Sequence, residues 1–98
     1  MEYRLQISIR AQNDAIDAID YYDNINSDLG TRFITELSDI YKQLKANPQF
    51  YSLISSNPAD KFRDVKLASF PYVVIYEIYE TDVVITSVMS THRKPFVP

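Results

Sequence analysis

The longest apolar run of the sequence opens the stretch Phe70-Pro71-Tyr72-Val73-Val74-Ile75-Tyr76-Glu77-Ile78-Tyr79. β-Branched and aromatic residues dominate it, which is typical of a strand near the middle of a sheet. Alternation separates an uncharged face from a face that contains a carboxylate: Tyr72, Val74, Tyr76 and Ile78 against Val73, Ile75, Glu77 and Tyr79. We therefore expect helices to cover the first face and the second face to stay partly open.

Two further strands are predicted to join this one in an antiparallel meander. The polar break at residues 80–82 is short enough for a hairpin, and the apolar residues 83–89 return as a strand. Residues 63–67 alternate weakly, with Asp64 and Lys66 on the outward side. The second half of the chain therefore predicts three consecutive antiparallel strands.

The first half of the chain predicts one strand and a pair of helices. Apolar and polar residues alternate over residues 3–9, which is the period of a half-buried strand. The period then becomes helical and predicts an amphipathic helix over about residues 12–24. After the polar turn at residues 26–28, a longer apolar stripe predicts a second helix that ends near Asn47, before Pro48. Helices joined by so short a turn form an antiparallel hairpin, and its apolar stripe would cover the sheet.

This order of elements predicts an α+β fold. It comprises an N-terminal strand, an antiparallel helix hairpin and a three-stranded antiparallel meander, with the helices packed on one face of the sheet. Residues 49–61 lack a clear period and are expected to form a surface loop, and the prolines make residues 91–98 an irregular tail. With 98 residues, 46% of them apolar, the chain supports one domain over residues 1–98 with a modest core.

Composition excludes several classes of site. The chain has no cysteine, which excludes disulfides and thiolate metal sites, and its one histidine cannot build a zinc site alone. Neither a bilayer-spanning segment nor the apolar core of a signal peptide is visible, so we expect a cytoplasmic protein with no membrane attachment. The formal net charge of −3 argues against a general nucleic-acid coat. No metal and no cofactor are expected.

Cationic residues cluster near the predicted strand ends: Lys61, Arg63, Lys66, His92, Arg93 and Lys94. They could hold phosphate, hold an acidic segment of a partner, or only keep the strand ends soluble. Salt-sensitive binding would separate these alternatives, because phosphate contacts release counterions. Tyr79 is expected to be a further partner contact, because it shares the open face with Glu77.

An acidic stripe follows the first predicted helix at three-residue steps: Asp14, Asp17, Asp20 and Asp23. It could dock a basic partner, but an acidic run on a helix is more often a solvated face, and we favour that interpretation. Without a glycine-turn loop, carboxylates at this spacing do not match a calcium site.

These elements resemble the RelE/ParE toxin superfamily over nearly the whole chain. The resemblance is carried by Leu67-Ala68-Ser69-Phe70-Pro71-Tyr72-Val73-Val74-Ile75-Tyr76, Gly30-Thr31-Arg32-Phe33, Leu44 with Asn47-Pro48, and Thr91-His92-Arg93-Lys94-Pro95. It implies the toxin of a type II toxin-antitoxin module, a growth inhibitor of the kind that stabilises plasmids. A cognate antitoxin would neutralise it by folding a disordered segment onto the toxin. DNA would be contacted only through the antitoxin, and a homodimer or a hetero-oligomer with the antitoxin is compatible with the resemblance.

The superfamily divides by mechanism. RelE-like members cleave messenger RNA on the ribosome, and the resemblance would assign that catalysis here to Lys66, His92 and Arg93. This sequence departs from the RelE pattern, because Val73 stands where a strand arginine is expected and Asp64 where a second lysine is expected. The carboxy-terminal tyrosine often seen in RelE-like members is also missing.

ParE-like members bind and inhibit DNA gyrase, which requires a contact surface and no acid-base pair. The candidates for contact with a target or partner are Lys61, Arg63, Lys66, Tyr79, His92, Arg93 and Lys94. We expect the ParE-like function. A ribosome-dependent ribonuclease is the alternative, and a relative that has lost toxicity and binds only its partner is a third hypothesis.

Overall fold

The computed structural model describes residues 2–51, 53–54 and 61–91. Its elements are β1 (Arg4–Ile7), α1 (Ile9–Ile25), α2 (Ser27–Ala46), a 3-10 turn (Pro48–Phe50), β2 (Phe62–Lys66), β3 (Tyr72–Tyr79) and β4 (Asp82–Ser90). The strands form one sheet in the order β1-β4-β3-β2, in which β1 runs parallel to β4 and the other pairs are antiparallel. The predicted α+β fold with its helix hairpin and meander is confirmed.

The helices cover one face of the sheet, and the core lies between the two layers. Tyr72, Val74 and Tyr76 are buried there, as the alternation of β3 predicts. Ile75 points to the opposite face and is nevertheless only 1% exposed, and its partner Ser87 is buried as well. The centre of that face is therefore less open than the sequence predicts.

The first helix begins three residues earlier than predicted. Ser8 is its N-cap, and the Ser8 hydroxyl oxygen accepts a hydrogen bond from the Ala11 N–H at 3.0 Å. Ile9, predicted to be the last inward residue of the first strand, is instead the first residue of α1 and is 77% exposed. The prediction was wrong because the alternation of apolar and polar residues continues by chance through the N-cap Ser8 into α1.

One residue joins the two helices. The Asn26 N–H donates to the Tyr22 carbonyl at 2.9 Å, and the Asn26 side chain accepts from the Asp28 N–H at 2.8 Å. Asn26 therefore ends α1 and caps α2. Close to this turn a Cβ on Gly30 would lie 2.8 Å from Asp23 Oδ1, so the helices approach each other where only glycine fits.

A β-bulge keeps β4 in phase with the core. Ile75 pairs with Ser87 and Tyr76 with Ile85, which leaves Thr86 as the extra residue. The Thr86 hydroxyl donates to the Ile75 carbonyl at 3.0 Å. Alternation along β4 therefore restarts at the bulge, and the buried residues on both sides of it reach the core: Val83, Ile85 and Val88.

The predicted surface loop contains more structure than expected in its described part. The 3-10 turn opens it, Leu53 forms an isolated bridge with Arg63, and the Ile54 N–H donates to the Phe62 carbonyl at 2.9 Å. The predicted tail falls almost entirely outside the described residues. Within the described ranges, no helix has the length and apolar character needed to cross a bilayer.

Candidate interaction surface

The face of the sheet opposite the helices, called the open face below, carries charges of both signs. The strand register places two cations and three carboxylates on it: Arg4, Lys66, Asp64, Glu77 and Asp82. Arg4 Nε lies 2.9 Å from Asp82 Oδ1, so these two charges form an ion pair. Over the described strands, Lys66 is the one cation of this face outside an ion pair.

The candidate residues Lys66 and Tyr79 share the open face but lie at its opposite ends. Lys66 pairs with Val73 at the start of β3, whereas Tyr79 ends that strand. Six residues of strand separate the two positions by about 20 Å. Lys61 directly precedes β2, whose first residue pairs with Glu77, and therefore lies at the Tyr79 end. Tyr79 is 67% exposed there.

Arg63 points to the other side of the sheet. Its register partner is the core residue Tyr76, and its guanidinium donates to the Tyr51 carbonyl and, at 3.5 Å, to the Gln49 carbonyl. The Tyr76 hydroxyl donates to the Pro48 carbonyl at 2.6 Å. Arg63 therefore anchors the segment after α2 and does not share a face with Lys66.

The remaining candidates, His92, Arg93 and Lys94, lie outside the described residues. The last described residue before them is Thr91, whose N–H donates to the Pro71 carbonyl at 2.7 Å. The preceding residue, Ser90, pairs with Tyr72. The described chain therefore ends at the same end of the sheet as Lys66.

Three tyrosines with raised pKa values lie among the described side chains. Burial raises the pKa of Tyr41 and of Tyr76 to about 12, and burial also raises the pKa of Tyr22. These phenols stay protonated at neutral pH and cannot act as bases there. In the ranges that the structure describes, no group of three or more histidine or carboxylate side chains could hold a metal ion.

A groove between α1 and the end of β4 was not predicted as a site. Its pocket has a volume of about 180 Å³ and is lined by Arg10, Asp14, Asp17, Ala18, Tyr21, Tyr72, Val88, Met89 and Ser90. Asp14, interpreted from sequence as part of a solvated face, accepts a hydrogen bond from the Val88 N–H at 3.1 Å. A signal was present in the sequence, because Tyr21 is a large aromatic residue within the acidic stripe.

Comparison with protein families decides the assignment. The family model for the ParE toxin of the type II toxin-antitoxin system parDE matches residues 5–95. This chain belongs to the ParE toxin family. The predicted membership of the RelE/ParE superfamily, on its ParE-like side, is confirmed.

Solved structures agree with this fold. A chain of the chromosomal ParDE system from P. aeruginosa is 17% identical, with a TM-score of 0.65 over 91% of this chain and 96% of that one. A chain of the RelBE2 toxin-antitoxin complex from Mycobacterium tuberculosis is 16% identical, with a TM-score of 0.66 over 92% of this chain and 99% of that one. At such identities the likeness extends to the fold. The search of curated protein sequences found no match.

Proposed function

We propose that this ParE-family toxin inhibits growth by binding DNA gyrase, that it has no ribonuclease activity, and that a cognate antitoxin neutralises it. The charge of the open face carries this proposal. Asp64 and Glu77 lie on the face that a RelE-like nuclease would use to hold RNA, and Arg4 is paired with Asp82. Lys66 remains as the one unpaired cation on the described part of that face.

This arrangement opposes RNA cleavage for a physical reason. Attack of a 2′-hydroxyl on its phosphate builds negative charge, which must be stabilised by several cations fixed nearby. Carboxylates at Asp64 and Glu77 repel both the RNA backbone and that developing charge. A protein partner can instead match charges of both signs across a contact surface.

The proposed contact surface has two ends. Lys61 and the exposed Tyr79 form one end, and Tyr79 offers an amphipathic ring of the kind enriched at binding hot spots. Lys66 forms the other end, which the chain reaches just before His92, Arg93 and Lys94. Arg63 contributes indirectly by anchoring the segment after α2. The target lies inside the cell, so the proposed place of action is the cytoplasm.

The proposal of an antitoxin partner rests on the descriptions of related toxins. The neighbours from P. aeruginosa and M. tuberculosis are described as parts of toxin-antitoxin systems. The family model likewise describes a toxin of such a system. We therefore expect the reading frame adjacent to this one to encode a protein that binds this chain and restores growth.

The target can be tested by expressing the chain without its antitoxin. We expect DNA replication to halt before translation, and the purified chain to inhibit supercoiling of plasmid DNA by gyrase. Translation arrest with transcripts cut on the ribosome would overturn the proposal and favour the nuclease. Absence of any growth defect, with antitoxin binding intact, would identify a relative that only binds its partner.

Variants separate contact from catalysis. Because His92 has no catalytic role in this proposal, His92→Ala should leave toxicity largely intact. Reversing the charges of Arg93 and Lys94 should reduce it. A tenfold or larger loss of activity with His92→Ala, equivalent to about 1.4 kcal/mol of transition-state stabilisation, would indicate chemistry.

A further inference from the structure

The edge of β4 is closed by α1 rather than by a strand. β1 pairs with β4 only as far as Ile85. Beyond it, the Ser8 hydroxyl donates to the Thr86 carbonyl at 3.1 Å, and Asp14 Oδ2 accepts from the Val88 N–H at 3.1 Å. These contacts occupy edge groups that a partner strand would need. A partner that approaches here meets side chains of α1.

The pocket of about 180 Å³ lies next to this edge, between α1 and the end of β4. Asp14 and Asp17 line it with carboxylates, and the Tyr21 ring lies on the same wall. Tyr21 is held in place because its ring packs edge-on against Tyr22, with centroids 5.0 Å apart, while the side chain stays largely exposed. Arg10 Nε lies 3.9 Å from Asp14 Oδ2, whereas Asp17 forms no salt bridge with any residue that the structure describes.

The surroundings of the pocket are acidic and partly apolar. Helix α1 holds one arginine and four aspartates, a net charge of −3, which equals the formal charge of the entire chain. The same helix exposes apolar side chains: Ile9, Ile16, Tyr21 and Ile25. A negative potential concentrated on one helix, with apolar side chains among the charges, fits a segment that is both basic and apolar.

We infer that this pocket receives a lysine or arginine side chain of the antitoxin, carried by a segment that lies along α1. The inference rests on the proposed function, since it concerns the neutralising partner. The incoming cation forms a charge-assisted hydrogen bond with Asp17 and lies against the Tyr21 ring. The apolar neighbours of that cation cover the exposed Ile25, which follows Tyr21 by one turn of α1. Asp14 stays bound to Val88, so no strand is added to β4.

The test uses the complete chain and the protein encoded by the adjacent reading frame. Asp17→Lys reverses one charge in the pocket. Asp20→Lys is the matched control, because it makes the same change on the same exposed helix but outside the pocket lining. Calorimetry should show that Asp17→Lys and Tyr21→Ala each weaken binding tenfold or more, whereas Asp20→Lys stays within threefold of the unchanged chain.

Two further measurements sharpen the result. Affinity of the unchanged chain should fall when salt is raised, and that of Asp17→Lys should fall less, because one screened ion pair is missing. In cells, Asp17→Lys should still arrest growth but should resist neutralisation by the antitoxin. Circular dichroism should show the same fold for all variants.

Each contrary result has a separate meaning. If Asp17→Lys and Asp20→Lys weakened antitoxin binding equally, the pocket would not be the binding site, and the overall negative charge of α1 would explain the binding. If the chain self-associated and Asp17→Lys abolished this self-association, the pocket would be assigned to a second copy of the chain and the inference would be overturned. If the unchanged chain failed to bind the adjacent protein, the proposed antitoxin itself would be wrong.

Discussion

The two helices of the hairpin have similar amphipathic sequences but bury very different side chains. Helix α2 buries five residues, among them Phe33, Leu37 and Leu44. Helix α1 buries only Ala11 and Ala18 and leaves its larger apolar residues exposed or half-buried. Small residues let α1 approach β4 closely, so α1 contributes little volume to the core. The difference suggests that α2 stabilises the fold while α1 is available to a partner.

The largest expected effect concerns the core, to which α2 contributes the larger side chains. Phe33 is fully buried, and its ring packs against Phe70 at 5.1 Å and Tyr72 at 5.2 Å between centroids. Phe33→Ala should therefore reduce the free energy of unfolding by about 3–5 kcal/mol, measured by urea denaturation. Ile16→Ala on α1 should change it by less than about 0.5 kcal/mol, because that side chain is exposed. Similar losses for both variants would contradict the division between the helices.

The next effect separates two carboxylates within α1. Asp14 accepts a hydrogen bond from the Val88 N–H, whereas Asp17 is exposed. Asp14→Ala leaves that backbone donor without a partner and should cost about 1–3 kcal/mol of unfolding free energy. Asp17→Ala is the control and should stay within about 0.5 kcal/mol. Amide exchange at Val88 should accelerate in Asp14→Ala alone, and unchanged exchange would contradict the proposed role of the carboxylate.

A smaller effect is expected where the helices meet. A Cβ on Gly30 would lie 3.0 Å from Asp23 Cβ and 3.2 Å from Asp23 Cα, and backbone cannot yield as a side-chain tip does. Gly30→Ala should therefore destabilise the chain by about 1–2 kcal/mol, although alanine favours helix by about 1 kcal/mol. Ser38→Ala, on the exposed side of α2, should stabilise slightly or have no effect. A gain in thermal stability for Gly30→Ala would show that the hairpin can open there.

The sequence predicted the fold well because its periodic signals were strong. Strict alternation in β3 and the long apolar stripe of α2 reflect burial, and both were confirmed. The start of α1 was mispredicted, since Ser8 continues the alternation while acting as a helix cap. The bulge at Thr86 was invisible, because one extra residue in β4 leaves no local signature.

The candidate site was less accessible to sequence reasoning than the fold. Cations were grouped by their nearness to strand ends, although side-chain alternation along β2 already separates their faces. Lys66 and Arg63 are three positions apart in the chain, and this odd spacing places them on opposite faces of β2. The sequence pattern places Asp14 on a solvated face of α1. Its role as a hydrogen-bond acceptor is not visible in that pattern, because the donor, Val88, lies on a strand 74 residues away. Contacts of this kind follow from the assembled fold and not from local pattern.

The smallest effect compares two buried hydroxyls, one on α2 and one in the sheet. The Tyr76 hydroxyl donates to the Pro48 carbonyl at 2.6 Å, whereas in the described part of the chain the buried Tyr41 hydroxyl has no partner. At pH 7, Tyr76→Phe should cost about 1 kcal/mol of unfolding free energy, and Tyr41→Phe should be neutral or stabilising.

The same hydroxyls give the fold a loss of stability at alkaline pH. Burial raises the pKa of both tyrosines to about 12, above the value near 10 expected for the unfolded chain. The native state therefore holds these protons more tightly, and its advantage is complete below pH 10 and is lost as pH rises towards 12. Urea denaturation from pH 8 to pH 11.5 should show this fall in the unchanged chain. The fall should be shallower in both phenylalanine variants, because each removes one titrating group, and an unaltered slope would mean that other groups cause it.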